Sequence, residues 1–345
     1  MKILLWANHS YGACFTNGTG RTPRDLPSGS GHFLHDLLAK GLGELGHEVY
    51  YYLEKGVGGP LPPGVTLVDE PQDDAEIAHT YSSLRCSERV IQHAEARGIP
   101  WLATCHLDIQ GRGIDRGLAG TNWIFVSKML GGLYGSERVV YNGIDPADYL
   151  YSEQKSDYFL FMSNMDWAHE KGLGTALELS RRMGFKLVVA GTSGKWEVIR
   201  KIEELCARDG AEYVGDVRGE RKAELFTGAR ALLHPSQLNE AFGLVAIEAL
   251  MCGTPVISSD RGASGEVISP EVGFICRGMA DYENAIEEVG RISSAACREK
   301  AERDYHYLQM ARGFLREYRA EIEIPSINRN VLERIVASAS APACG

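Results

Sequence analysis

Short apolar runs alternate along the chain with longer stretches of helical period. Runs at 3–7, 48–53, 101–105, 123–126 and 139–141 have the length and continuous apolar character of strands buried on both faces. A second set falls at 158–162, 186–190, 231–233, 255–258 and 273–276. Helical patterns separate them at about 32–45, 86–97, 172–183, 196–209, 220–228, 241–252 and 281–292. Strands alternating with helices in this way predict parallel sheets covered by helices. The alternation runs twice, on either side of about residue 150, and so predicts two doubly wound α/β domains in tandem. The join is expected at Asn142-Gly143-Ile144-Asp145-Pro146, a turn-rich stretch ahead of the polar segment 152–157. A long helical stretch is expected from 294 to about 322, and a frayed tail of small residues from 337 to 345.

Length agrees with that division, since 345 residues suit two domains better than one. Apolar residues at 44% and charged residues at 24% are ordinary globular usage, so each half can bury a core. Charge narrows the function. A formal net charge of −10 argues against sequence-independent nucleic-acid binding, which needs Lys and Arg to displace counterions, but leaves room for a small anionic ligand. The eight cysteines are scattered without a Cys-x-x-Cys, which is neither a zinc pattern nor a disulfide scaffold and fits a reducing cytoplasm. The apolar N-terminal run is broken at Asn8 and His9, too short for a signal core or a membrane span. At most peripheral membrane contact is expected.

Most of the chemistry is concentrated in one segment. From 241 to 252 the pattern is that of a helix apolar all round, hence buried, with Glu248 as its one charge. A carboxylate there costs several kcal/mol, on the order expected for buried charge, unless something satisfies it. Two partners compete for it: an arginine elsewhere in the chain, or the hydroxyls of a ligand such as a ribose or a sugar. Glu240 lies eight residues earlier, roughly 12 Å away if the intervening residues are helical. Between the two acids is Gly243, near a helix N-terminus whose bare N–H groups and dipole favour phosphate. The segment thus offers hydroxyl acceptors at each end and an anion site between them.

With Pro235-Ser236 before it and Gly253-Thr254-Pro255-Val256 after it, this segment resembles the Glu-x7-Glu signature of the family-four (group 1) retaining glycosyltransferases. The resemblance, which covers about residues 1–320, implies the GT-B fold, α/β, with two Rossmann-like domains facing across a cleft. It implies an acceptor-binding domain at 1–150, a donor-binding domain at 151–305, and a C-terminal helix crossing back to the first domain within 306–345. By the same resemblance Glu240 touches donor-sugar hydroxyls and Glu248 the ribose, while Phe242, Gly243, Leu244 and Val245 present backbone to sugar and diphosphate.

Other pieces follow the family's order. Gly29 and Gly31, in Pro27-Ser28-Gly29-Ser30-Gly31-His32, match the glycine-rich loop after the first strand, although a plain tight turn explains them equally. His106 follows Thr104-Cys105 at a strand end, where the family often has a cleft-facing histidine and where ligands of such sheets gather; a lone histidine is otherwise structural. Ser127 ends another strand at a position that the family often fills with Ser. Lys171-Gly172 stands just before a helix, placed to neutralise a leaving phosphate, although a lysine is otherwise a solvated surface group. The family's Arg ahead of it is replaced by Ser163-Asn164, so either Asn164 makes a weaker, neutral contact, or another cation substitutes, or the donor is held differently. Asp260-Arg261-Gly262 resembles a loop that backs the donor site.

There is no Asp-x-Asp, so no metal site is expected; cations and a helix end would hold the diphosphate instead. A nucleotide-sugar donor as co-substrate, no other cofactor, and a small-molecule, glycan or lipid-linked acceptor are the implied partners. The family retains anomeric configuration, and no obvious covalent nucleophile is present, which implies front-face displacement. Other classes compete: a GT-B sugar-nucleotide epimerase, which needs no acceptor, and a catalytically impaired nucleotide-sugar-binding subunit, motivated by the missing Arg. A nucleotide-dependent dehydrogenase is disfavoured, because no strand runs into Gly-x-Gly-x-x-Gly with an acid about twenty residues on.

Overall fold

The computed structural model describes residues 1–7, 30–53, 61–81, 84–108 and 122–323. These divide into two compact units, one of residues up to Gly143 together with Tyr307–Glu323, the other Ile144–His306. The first begins β1 (Lys2–Ala7), α1 (Ser30–Glu44), β2 (Glu48–Leu53), β3 (Val65–Val68), β4 (Ile77–Tyr81) and α2 (Leu84–Arg97). It continues with β5 (Trp101–Cys105), β6 (Trp123–Phe125) and α3 (Lys128–Leu133), which Ser127 caps by accepting the Leu130 N–H at 3.0 Å. Its six strands are parallel in the order β3-β2-β1-β4-β5-β6.

The second unit begins β7 (Phe159–Met162), α4 (Leu173–Met183), β8 (Leu187–Ala190), α5 (Trp196–Asp209), β9 (Glu212–Tyr213), α6 (Gly219–Gly228) and β10 (Ala231–His234). It ends α7 (Leu244–Met251), β11 (Val256–Ser259), α8 (Ser264–Val267), β12 (Gly273–Cys276), α9 (Met279–Glu288) and α10 (Ser294–Tyr305). The strand order, β12-β11-β10-β7-β8-β9, repeats that of the first sheet with all strands parallel. The middle strands are buried throughout because helices cover both faces, which is why they read as unbroken apolar runs.

Several expectations need correction. The stretch 294–322 is two helices, because His306 leaves the helical path to pair with Ile144. The helix that follows, α11 (Tyr307–Glu323), belongs to the first unit, where Tyr307 donates to Glu44 of α1 at 2.5 Å and Arg138 grips Glu317 and Glu321. Residues 139–141 form only a bridge between Val139 and Phe125, with the Val140 side chain turned against Gly313 of α11. Three strands escaped the apolar-run criterion. Two of them, β3 and β9, are short edges, and β4 carries His79 and Thr80 in its interior. The helix expected at 241–252 starts only at Leu244, since Gly243 at φ 90° lies outside helical geometry.

Candidate functional site

Two loops at the carboxyl ends of neighbouring strands build the centre of the second unit. One follows β7, the other β10, and they are joined backbone to backbone: Gln237 N–H donates to the Glu170 carbonyl at 2.8 Å. Gly172, the N-cap of α4 at φ 85°, faces the Pro235 carbonyl so closely that a Cβ would stand 2.0 Å from its oxygen. Only glycine allows both the left-handed backbone and that approach. The result sets Lys171 beside Glu240, and the lysine Nζ donates to Glu240 Oε1.

Glu240 lies in the turn before α7 rather than in a helix, so eight helical residues do not measure its separation from Glu248. Its backbone is fixed from behind by the loop after β11. Ala263 N–H donates to the Glu240 carbonyl at 2.9 Å, and a Cβ on Gly262 (φ 61°) would fall 2.3 Å from the Glu240 nitrogen. Two more residues complete its setting, Ser236, which the sequence offered only as part of the motif's flank, and His234, which it did not single out: Ser236 Oγ donates to Oε1 at 3.2 Å, and His234 Nε2 stands 3.6 Å from the same oxygen. Burial pushes the Glu240 carboxyl up, but the His234 ring and the Lys171 ammonium outweigh it and bring it down to about 2. Glu240 is therefore an anion at any physiological pH. The sequence held one signal for His234, an imidazole ending an apolar strand directly before Pro235-Ser236.

Glu248 sits within α7 with its side chain 13% exposed, and its partner is a lysine, not an arginine. Lys222 of α6 donates to Oε1 at 2.6 Å and the Tyr149 hydroxyl to the same oxygen at 3.0 Å. Burial and the neighbouring carboxylate hold the Tyr149 phenol well above its usual range, so it remains a donor. At the far end of α7, Arg298 donates to the carbonyl of Met251 at 2.6 Å and to that of Tyr149 at 3.4 Å. One guanidinium thus ties the helix and the tyrosine together, as a cation at a helix C-terminus should.

The mouth of α7 carries the remaining backbone candidates. Gly243 is its N-cap, without a side-chain hydrogen bond, and Leu244 and Val245 open its first turn, whose N–H groups lack carbonyls one turn back. Phe242 is buried and packs edge-on against Tyr305 with ring centroids 5.8 Å apart. Asn164 is taken up locally: its side chain accepts the Asp166 N–H at 2.9 Å and caps the turn at Met165–Trp167. Arg261 is exposed.

His106 belongs to the first unit, half-buried just past the end of β5, and burial lowers its ring to about 4. Beside it in the sheet, His79 is fully buried between Thr104 Oγ1 at 2.7 Å and the Tyr318 hydroxyl at 2.6 Å. Gly31 falls in the first turn of α1, while Gly29, Asn8 and His9 lie outside the described residues. Among the described residues, no group of three or more His, Cys, Asp or Glu could hold a metal ion, and no helix is long and apolar enough to cross a membrane.

Comparison with known proteins follows this division. Residues 151–304, nearly the whole second unit, match the family described as glycosyl transferases group 1. Over these residues the chain is similar to the group 1 glycosyl transferases. An uncharacterized glycosyltransferase of Methanocaldococcus jannaschii is 30% identical over 161 residues, 40% of each chain. The O-antigen chain mannosyltransferase RfbU of Salmonella typhimurium is 25% identical over 165 residues, 46% of each. The chain thus spans less than half the length of these curated relatives. Among solved structures, AviGT4, a glycosyltransferase involved in avilamycin A biosynthesis, superposes with a TM-score of 0.72 at 24% identity, over 94% of this chain and 98% of that one. Anabaena HepE, solved with UDP, gives 0.70 at 14% identity over 93% and 100%. These likenesses give the chain the GT-B fold.

Proposed function

We propose that the protein is a retaining glycosyltransferase that moves a hexose-type sugar from a nucleoside-diphosphate donor to an acceptor hydroxyl without a metal. The observation that carries this reading is the pair of anionic side chains, Glu240 and Glu248, on either side of the open α7 N-terminus, each held by a lysine. Glu248 accepts from ribose hydroxyls, and the first-turn N–H groups at Leu244 and Val245 meet the diphosphate. Glu240 accepts from hydroxyls of the sugar. Lys171 keeps two further protons for the phosphate that departs, so a single ammonium links sugar recognition to leaving-group stabilisation.

In this scheme the bond from the anomeric carbon to the diphosphate oxygen breaks as the acceptor oxygen approaches on the same face. The departing oxygen takes the acceptor's proton, so configuration is retained without a covalent enzyme intermediate. His106, neutral above about pH 4, suits hydrogen bonding to a hydroxyl rather than a cationic role. The UDP in the HepE structure supports a nucleotide ligand and makes UDP the first donor base to try.

Calorimetric titration with UDP, GDP, dTDP and ADP, followed by product analysis with the matching sugar nucleotides, tests the proposal. One diphosphate is expected to bind in the micromolar range; binding by none overturns the scheme. One observation favours a second reading, an impaired binding subunit: Asn164, where the family's Arg would stand, is spent on capping a turn. Tight binding with neither transfer nor donor hydrolysis would establish that reading instead.

A further inference from the structure

The two glutamates are built alike in a respect that their sequence motif does not contain. Among the described residues, every hydrogen bond and ion pair to the Glu240 side chain falls on Oε1, from Lys171, Ser236 and His234. Both contacts to Glu248 likewise fall on Oε1, from Lys222 and Tyr149. No described residue donates a hydrogen bond to Oε2 of either, yet neither Oε2 is among the fully buried polar atoms lacking a partner. Each carboxylate therefore has one oxygen committed to the protein and one reachable from outside. Two donors on a single oxygen fix the plane of the carboxylate, while the lysine keeps its charge in place; both effects make the second oxygen a strong, oriented acceptor.

We propose that Lys222 and Tyr149 are positioning residues that turn Glu248 Oε2 into a reader of the ribose 2′-hydroxyl, so that this protein discriminates ribonucleotides from 2′-deoxyribonucleotides. The inference rests on the nucleotide-donor reading above. Its parts come from three separate places in the second unit: α6, α7 and the segment that leads into β7. Arg298 secures the arrangement by holding the carbonyls of Tyr149 and Met251 at once. A carboxylate without these two donors would rotate freely and share its oxygens among water, lysine and sugar. It would then bind either kind of nucleotide with little preference. A hydroxyl donating to an oriented anion is worth on the order of tenfold or more in affinity.

The test is calorimetric titration with four probes, UDP, 2′-deoxy-UDP, GDP and 2′-deoxy-GDP, on the wild-type protein and on Lys222→Met, Lys222→Arg, Tyr149→Phe and Glu248→Gln. In the wild type the ribonucleotide of the preferred base is expected to bind about tenfold or more tightly than its deoxy counterpart. Glu248→Gln and Lys222→Met bring that ratio near one, chiefly by weakening the ribonucleotide, and Lys222→Arg restores part of it. Tyr149→Phe, which removes only a hydroxyl and guards against a misfolded lysine variant, lowers the ratio about threefold. A ratio that stays at the wild-type value in Lys222→Met and Tyr149→Phe, with both affinities falling together, assigns these residues to mere scaffolding and overturns the inference while nucleotide binding stands. Loss in proportion to the number of phosphates, seen when UMP replaces UDP, makes Lys222 a phosphate ligand and overturns it as well. Wild-type protein that binds none of the four, and neither ADP nor dTDP, removes the nucleotide reading itself, whereas binding of dTDP alone overturns the inference.

Discussion

The two sheets share one strand order, yet their fourth strands put a buried histidine to opposite uses. In the first unit His79 of β4 is closed on both sides, by Thr104 and by Tyr318 of α11, and burial together with nearby His106 lowers its ring to about 3. In the second, His234 of β10 rests on Ser258 at 3.2 Å and turns its other nitrogen toward Glu240, at the edge of a charged cluster. The difference lies in what covers the strand. A helix laid over β4 and β5 supplies hydroxyl and apolar partners and leaves a neutral, satisfied core group. Open loops after β7, β10 and β11 instead bring lysine and carboxylate together, where charge persists and a ligand can compete for it. Topology repeats; chemistry does not.

Acidification should separate the units most strongly. Above pH 6.5 a neutral His79 costs nothing, because the ring is neutral folded and unfolded alike. Below it the unfolded chain takes a proton that the folded ring refuses until about pH 3, so stability falls as pH drops through that window, by roughly 1.4 kcal/mol per pH unit at most. Glu240 works lower: its depressed carboxyl contributes stability that is intact above pH 4.5 and lost only as pH falls toward about 2. Hydrogen exchange followed from pH 7 to 4 is expected to show β4, β5 and α11 opening before β7 and β10. The opposite order would break the comparison.

Next in size is His79→Leu, which strands the Thr104 and Tyr318 hydroxyls in the core and should cost about 2–4 kcal/mol in urea unfolding. Glu240→Gln is expected to leave the fold intact but slow sugar transfer about a hundredfold, a size usual for losing an aimed electrostatic contact. Turnover at the wild-type rate would remove Glu240 from the mechanism. Gly262→Ala tests how the acid is held in place. With a methyl driven 2.3 Å from the Glu240 nitrogen, the turn must move, and about a tenfold rise in the KM for the sugar nucleotide is expected with 1–2 kcal/mol, approximately, of lost stability. The smallest effect belongs to Tyr318→Phe, about 1 kcal/mol for one buried hydrogen bond, read from the same urea curves.

The sequence alone determined the doubly wound α/β class, and it held the turn-rich stretch at which the two units divide and the candidate acids and lysine. Those features are local. An apolar run flanked by turns reports a strand buried on both faces, and Glu240, Gly243 and Glu248 lie within nine residues of one another. The polar strand β4 stayed hidden because His79 and Thr80 read as surface until Thr104 and Tyr318, 25 and 239 positions away from His79, are known to satisfy the ring. Only the tertiary structure decided which groups hold the two carboxylates. Tyr149 and Lys222 stand 99 and 26 positions from Glu248, and His234 gains its meaning from Ser258 on the adjacent strand. Periodicity tells a side chain whether it is buried; its partner is set by which elements the folded chain brings together, and a lone charge in an apolar helix gives no hint of that.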